Sequence, residues 1–98
     1  MPTVGKAGEI AAGRMTRVEV EGASVAIANV GNAFYAFSDT CTHRGCSLSE
    51  GELAGLIVTC PCHGGQFDIS SGSVVGGPPG ESIETFPVEA EAGDLKIG

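Results

Sequence analysis

Two short stretches rich in cysteine and histidine constrain this chain more than any other feature. CTHRGC occupies residues 41–46 and CPCHGG occupies residues 60–65, and together they hold all four cysteines and both histidines. Thiolates and imidazoles are metal ligands, and cysteines also pair as disulfides or act as nucleophiles. These two stretches therefore decide whether the chain carries a metal site, a crosslink, a reactive thiol or a mixture of them.

The size and composition of the chain indicate one small globular domain. It has 98 residues, of which 42% are hydrophobic and 17% are charged, which is a globular and not a disordered composition. Sixteen glycines and five prolines indicate many tight turns. We expect a single domain over residues 1–98, of a size that is often reinforced by a metal or a disulfide.

The charge balance excludes several classes of partner. The formal net charge is −7, which argues against nucleic acid and against anionic membrane surfaces, because both require lysine and arginine. The acidic residues either keep a small protein in solution or direct it to a basic patch on a partner.

The sequence contains no candidate for a membrane-spanning or targeting segment. No run approaches about 18 apolar residues, and the N-terminal segment lacks a basic region followed by an apolar one. We expect a cytoplasmic protein that is not bound to a membrane.

Short alternations of apolar and polar residues predict β-structure along much of the chain. Turn signals fall at Glu21-Gly22, Gly31-Asn32 and Ala92-Gly93, and helix evidence is limited to one turn within Gly8–Met15. The predicted strands are Thr16–Val20, Ser24–Val30, Phe34–Phe37, Leu56–Thr59, Gln66–Ile69, Ile83–Ala90 and Asp94–Ile97. The pattern predicts an all-β fold, a small antiparallel sandwich or barrel, with the two cysteine-rich loops side by side at the end of a hairpin.

The spacing of the donor residues leaves two kinds of metal site open. Cys41-x-His43 and Cys60-x-x-His63 offer two sulfur and two nitrogen donors. A single tetrahedral zinc accepts such a set, although the spacing within Cys41-x-His43 is tighter than the usual ligand pairs of structural zinc sites. A dinuclear iron–sulfur centre accepts it with two thiolates on one iron and two imidazoles on the other.

The run CTHRGCSLSEGEL followed by VTCPCHGGQFD resembles the cluster-binding loops of the Rieske [2Fe–2S] family. Those loops contain C-x-H and C-x-x-H about sixteen residues apart, and the resemblance extends over the whole chain, to a Rieske-type ferredoxin. It implies a Rieske-type antiparallel β-fold with a two-loop cluster-binding subdomain at approximately 39–80. It also implies one [2Fe–2S] cluster, with Cys41 and Cys60 on the inner iron and His43 and His63 on the outer iron.

The two remaining cysteines, Cys46 and Cys62, are either free buried thiols or partners in a disulfide. The pattern C-T-H-x-G-C with C-P-C-H-G resembles Rieske proteins of cytochrome bc-type complexes, in which these two extra cysteines are joined. The resemblance therefore implies a Cys46–Cys62 disulfide between the loops. Disulfides are rare in the cytoplasm, but a bridge packed against a cluster persists where reductants do not reach it.

The family resemblance implies an electron-transfer function. A chain of this kind carries one electron at a time from a flavoprotein reductase, which uses NAD(P)H, to a terminal oxygenase, and is not itself an enzyme; we expect a monomer. One alternative is a subunit of a larger complex, of cytochrome bc type or similar to arsenite oxidase, which the extra cysteines favour. Others are a nitrite reductase small subunit, disfavoured by the complete ligand set, and a zinc-binding module without redox function.

The residues after the second loop predict a low reduction potential. High-potential Rieske proteins carry a serine and a tyrosine there, whose hydroxyls donate to cluster sulfurs, whereas this chain has Gly65 and Phe67. A hydrogen bond to a charged group contributes about 1.5–3 kcal/mol, or about 60–130 mV for one electron. We expect redox titration to give a midpoint in the lower half of the family range of roughly −150 to +300 mV. A midpoint above about +200 mV within that range would contradict this prediction.

Overall fold

The computed structural model describes residues 3–40, 46–62, 64–77 and 82–97. In these ranges the chain forms short strands and two 3₁₀ turns, at Ala7–Glu9 and Leu48–Glu50. The strands are β1 (Thr3–Lys6), β2 (Met15–Val20), β3 (Ala23–Val30), β4 (Ala33–Ser38), β5 (Glu52–Ala54), β6 (Ile57–Thr59), β7 (Gln66–Asp68), β8 (Val74–Gly76), β9 (Thr85–Phe86), β10 (Val88–Glu91) and β11 (Asp94–Ile97).

These strands form three antiparallel sheets. The outer sheet has the order β1-β11-β10, the middle sheet β2-β3-β4-β9 and the loop-bearing sheet β5-β6-β7-β8. No α-helix occurs in the four described ranges, and none of the helical turns there is long and apolar enough to cross a bilayer. The prediction of an all-β antiparallel fold is confirmed.

The middle sheet is covered on both faces. Its central strand β3 is buried from Val25 to Asn29, and successive side chains of a strand point to opposite faces. Ala26 and Ala28 belong to a core shared with the loop-bearing sheet, whereas Val25 and Ile27 belong to a core shared with the outer sheet. The buried part of β3 therefore presents small side chains to the loop-bearing sheet and larger ones to the outer sheet.

The three predicted turns close tight hairpins as expected. Glu21-Gly22, Gly31-Asn32 and Ala92-Gly93 all have positive φ, between 52° and 84°, and the flanking residues of each turn are paired across the hairpin. Two successive residues with positive φ make a type I′ turn, whose twist matches that of antiparallel strands. Local turn chemistry therefore sets the register of β2 with β3, β3 with β4 and β10 with β11.

The predicted strand Ile83–Ala90 is wrong in its extent. It begins only at Thr85 and divides at Pro87 into β9, which pairs with β4, and β10, which pairs with β11. Proline has no N–H to donate to a sheet, so the chain leaves the middle sheet there and enters the outer one.

Three strands, β1, β5 and β8, were not predicted, and the expected helical turn within Gly8–Met15 occurs earlier, at Ala7–Glu9. β1 is recruited by β11 through the pair Lys6–Asp94, whose side chains form an ion pair at 2.5 Å. A hydrogen bond and charge attraction across this exposed pair raise the pKa of Lys6 and lower the pKa of Asp94. Such long-range pairing leaves little trace in local sequence.

Leu48 gives a direct test of the packing between the middle and loop-bearing sheets. Its side chain is fully buried in the core that contains Val58 and Phe67, so Leu48→Ala should cost about 2–5 kcal/mol. One kcal/mol shifts the Tm of a domain of this size by about 4–8 °C. We expect circular dichroism of the cluster-loaded protein to show a fall of roughly 10 °C or more. The control Val75→Ala, at a side chain that is 50% exposed, should change Tm little, and equal shifts would contradict the assignment of Leu48 to the core.

Candidate metal centre

The β5–β6 hairpin brings the two cysteine-rich stretches together. Its strands pair from Glu52 opposite Thr59 to Ala54 opposite Ile57. The first stretch leads into β5 through the 3₁₀ turn Leu48–Glu50, and the second begins at Cys60, directly after β6. Cys46 and Cys60, the described residues nearest the hairpin on each stretch, therefore lie at its open end, where the sequence predicted the two loops.

A disulfide bond joins the two stretches. It connects Cys46 to Cys62, whose Cα atoms lie 6.4 Å apart, so the crosslink expected from the family resemblance is present. A crosslink of this span stabilises a fold by about 3 kcal/mol, mainly by restricting the unfolded chain. Because both sulfurs are used in the bond, neither is a thiolate that can hold a metal.

Cys60 is a different kind of cysteine. Its thiol is free and its residue is 3% exposed, and its Sγ and the two disulfide sulfurs all lie within 4.8 Å of one another. Among the described residues it is therefore the cysteine that still offers a thiolate, at the point where the two loops meet. A buried thiolate is the donor that an iron–sulfur cluster requires, so the described part of the site fits such a cluster.

The other three expected ligands, Cys41, His43 and His63, lie outside the described residues. The structure shows the anchors of their loops, which are Thr40 and Cys46 on the first and Cys62 and Gly64 on the second. The disulfide between Cys46 and Cys62 joins the two loops.

The second loop is closed by its own backbone. The Cys60 N–H donates to the Gly65 carbonyl at 2.7 Å, and the Gly64 N–H donates to the Cys60 carbonyl at 3.2 Å. The Gln66 side chain then donates to Thr59 Oγ1 at 3.3 Å across the start of β7. Cys60 is thus held in place by main-chain bonds that do not depend on neighbouring side chains.

Two glycines let other segments pass close to this loop. A Cβ on Gly77, where φ is +83°, would lie 2.7 Å from Gly65 Cα, and a Cβ on Gly51 would collide with the Thr59 carbonyl oxygen. Real Cβ atoms do not approach so closely, so larger residues would push these segments away. The second loop is therefore confined on two sides by backbone.

The surface beside Cys60 is acidic. Glu50 and Glu52 line a surface depression together with Thr59, Cys60 and Pro61. Between residues 46 and 77, the described residues include three acidic side chains and no lysine or arginine. The third is Asp68, whose pKa is held below its ordinary value by hydrogen bonds from the Ser70 hydroxyl and amide. Glu50 and Glu52 therefore place negative charge beside Cys60, whereas Asp68 lies opposite Ile57, at the other end of β6.

Sequence reasoning missed one residue of the site, Asp39. It directly follows strand β4 and precedes Cys41 by two residues, and it is 2% exposed. Its carboxylate accepts hydrogen bonds from residues on the far side of the first loop. A charged residue placed between an apolar strand and a ligand motif was the available signal, but its burial follows only from tertiary packing.

Comparisons with known proteins identify the family. The family model for the Rieske [2Fe-2S] domain matches residues 1–87. Ferredoxin CarAc of Metapseudomonas resinovorans is 39% identical over 92 residues, which cover 93% of this chain and 86% of the relative. The ferredoxin component of the naphthalene 1,2-dioxygenase system of Pseudomonas aeruginosa is 37% identical over 89 residues, 91% of this chain and 86% of that protein.

A solved structure is similar over the same extent. A chain in the complex of reduced oxygenase and oxidized ferredoxin in carbazole 1,9a-dioxygenase matches with a TM-score of 0.94 and 38% identity, covering 99% of this chain and all of that chain (100%). These likenesses agree with a buried free cysteine at the junction of two crosslinked loops. The chain belongs to the Rieske [2Fe-2S] family, whose domain carries an iron–sulfur cluster.

Proposed function

We propose that this protein is a one-electron carrier, the ferredoxin component of an oxygenase system. It takes electrons from a flavoprotein reductase that uses NAD(P)H and delivers them to a terminal oxygenase, without acting on a substrate itself. The observation that carries this proposal is that relatives similar over nine-tenths of the chain are ferredoxin components of dioxygenase systems.

The proposed ligands are Cys41 and Cys60 for one iron and His43 and His63 for the other. Support comes from the one ligand that the structure describes, because Cys60 has a free buried thiol while the disulfide removes Cys46 and Cys62 from the donor set. Bound there, the [2Fe–2S] cluster supplies reversible uptake and release of one electron. Two neutral imidazoles in place of two thiolates make the site less negative and raise its potential relative to all-cysteine clusters.

The chain itself contributes shielding, rigidity and charge. Burial of Cys60 keeps water from one side of the site, and the disulfide holds the two loops at a fixed separation. Glu50 and Glu52 favour a partner that presents a basic face. The −7 net charge disfavours self-association and therefore supports a monomer.

We also propose that residues 1–98 form one Rieske domain, with the cluster-binding part at approximately 39–80. The direct pairing of β4 with β9 supports this division, because Phe37 opposite Thr85 marks where the chain leaves and rejoins the middle sheet.

One observation favours a second candidate. The Cys46–Cys62 disulfide resembles the bridge of Rieske subunits in cytochrome bc-type complexes. A protein with that role would accept electrons from a quinol and reduce a cytochrome, so the two candidates differ in their electron donors and acceptors.

The ligand assignment predicts how the cluster responds to substitution. His63→Cys should shift the visible and EPR spectra towards those of an all-cysteine cluster or abolish the cluster, and Cys60→Ser should abolish it, because each removes a proposed ligand. The double variant Cys46→Ser/Cys62→Ser is the control, since it removes two cysteines that are not ligands and should keep a Rieske-type spectrum. An unchanged spectrum for His63→Cys, or zinc without iron and acid-labile sulfide in the wild type, would contradict the assignment.

The carrier function predicts coupled turnover. The cluster-loaded protein should replace the ferredoxin in an assay with the reductase and terminal oxygenase of the carbazole 1,9a-dioxygenase system, and NAD(P)H-dependent product formation should be lost with Cys60→Ser. Glu50 and Glu52 attract a partner with a basic face, and salt screens this attraction. The rate of product formation should therefore fall as NaCl rises from about 0.05 to 0.5 M. Reduction by a quinol with transfer to a cytochrome, and no transfer to an oxygenase, would favour the second candidate instead.

A further inference from the structure

Asp39 is an acidic side chain in an unusual place. It is 2% exposed, and the ion pairs of the described residues do not include it. Burying a carboxylate is costly unless hydrogen bonds replace its hydration. The hydrogen bonds of the Asp39 carboxylate therefore show what compensates for its burial.

The contacts of Asp39 run across the neck of the first loop. Its carboxylate accepts from the Ser47 hydroxyl through Oδ2 and from the Ser49 N–H through Oδ1, the latter at 2.7 Å. Its carbonyl accepts from the Leu48 N–H at 2.7 Å. One residue on the entry side of the loop thus binds three consecutive residues on its exit side.

The same residue is anchored to the middle sheet. The Asp39 N–H donates to the Ser24 carbonyl of β3 at 3.1 Å, and its neighbour Thr40 forms an isolated antiparallel bridge with Ser47. β3 is buried from Val25 to Asn29. Asp39 therefore connects the segments on both sides of the first loop to a well-packed strand.

The two loops are closed by different means. Main-chain bonds between Cys60 and both Gly64 and Gly65 close the second loop, whereas the Asp39 side chain adds two bonds to the main-chain contacts that close the first. A substitution at residue 39 therefore removes bonds from the first loop and leaves the main-chain bonds of the second in place.

We propose that Asp39 is a positioning residue for the first cluster-binding loop. It fixes the separation of the loop ends, and it thereby sets how Cys41 and His43 meet the cluster and how Cys46 meets Cys62. The part that concerns Cys41 and His43 rests on the function proposed above; the part that concerns the disulfide does not.

Four variants of the full chain, loaded with cluster, test this proposal. Asp39→Ala removes both carboxylate contacts. Asp39→Asn keeps an oxygen that accepts from the Ser49 N–H, and its amide can donate to Ser47 Oγ, which also lies 3.0 Å from Ser49 Oγ. Ser47→Ala removes one contact and serves if Asp39→Ala fails to fold. Glu89→Ala removes one negative charge at an exposed residue of β10, in the outer sheet away from the loops, so it controls for net charge.

The measurements are the EPR g-values, the midpoint potential and the rate at which an iron chelator removes the cluster. We expect Asp39→Ala to speed cluster loss by about tenfold or more, since hydrogen bonds to a charged group are lost, and to shift the g-values. Asp39→Asn should restore most of the wild-type behaviour, Ser47→Ala should be intermediate and Glu89→Ala should match the wild type. A lower Tm for Asp39→Ala with unchanged g-values, potential and loss rate would overturn the proposal.

A second readout does not depend on the cluster. Dithiothreitol should reduce the Cys46–Cys62 disulfide several times faster in Asp39→Ala than in the wild type, with Asp39→Asn close to the wild type, as measured by alkylation and mass spectrometry. If the wild type binds no iron, the proposed function fails, and the disulfide rates alone decide the role of Asp39. Equal reduction rates in Asp39→Ala and the wild type would overturn that role.

Discussion

The antiparallel pairing of β5 with β6 is the constraint on which the rest of the site depends. Because Glu52 lies opposite Thr59, the chain entering β5 and the chain leaving β6 emerge side by side. A one-residue slip in this pairing would turn Val58 out of the core and move Cys60 away from the first loop. The Cys46–Cys62 disulfide then joins the two loops that this register has placed side by side.

The sulfur atoms of the site have divided tasks, and this division bears on its redox chemistry. Cys46 and Cys62 hold the loops, which leaves the Cys60 thiol for metal chemistry. Phe67, which stands where high-potential relatives carry a hydroxyl, is fully buried in the core between the sheets. The chain therefore combines a crosslink between its two loops with a buried apolar packing residue at position 67.

Much of this was predictable from local patterns, and the remainder depended on long-range contacts. The turns at Gly31-Asn32 and Ala92-Gly93 follow from residues that accept positive φ. The strands β1 and β11 pair although they lie near opposite ends of the sequence. No local alternation of apolar and polar residues predicts this pairing. Pro87 was a visible signal for the break between β9 and β10 that the strand prediction passed over. The role of Asp39 follows from its burial and its partners at Ser47 and Ser49, neither of which a sequence displays.

The junction between β4 and β9 has a consequence for how such a molecule diversifies. The Ser38 N–H donates to the Glu84 carbonyl at 2.8 Å, so the chain departs from the middle sheet and returns to it at touching positions. Residues 39–83 therefore leave and rejoin this sheet at one place, although they also pack against it through Leu48, Val58 and Phe67, and insertions are tolerated best where the two ends of a segment already meet. A loop of this segment could therefore change in length without altering the pairing of β4 with β9.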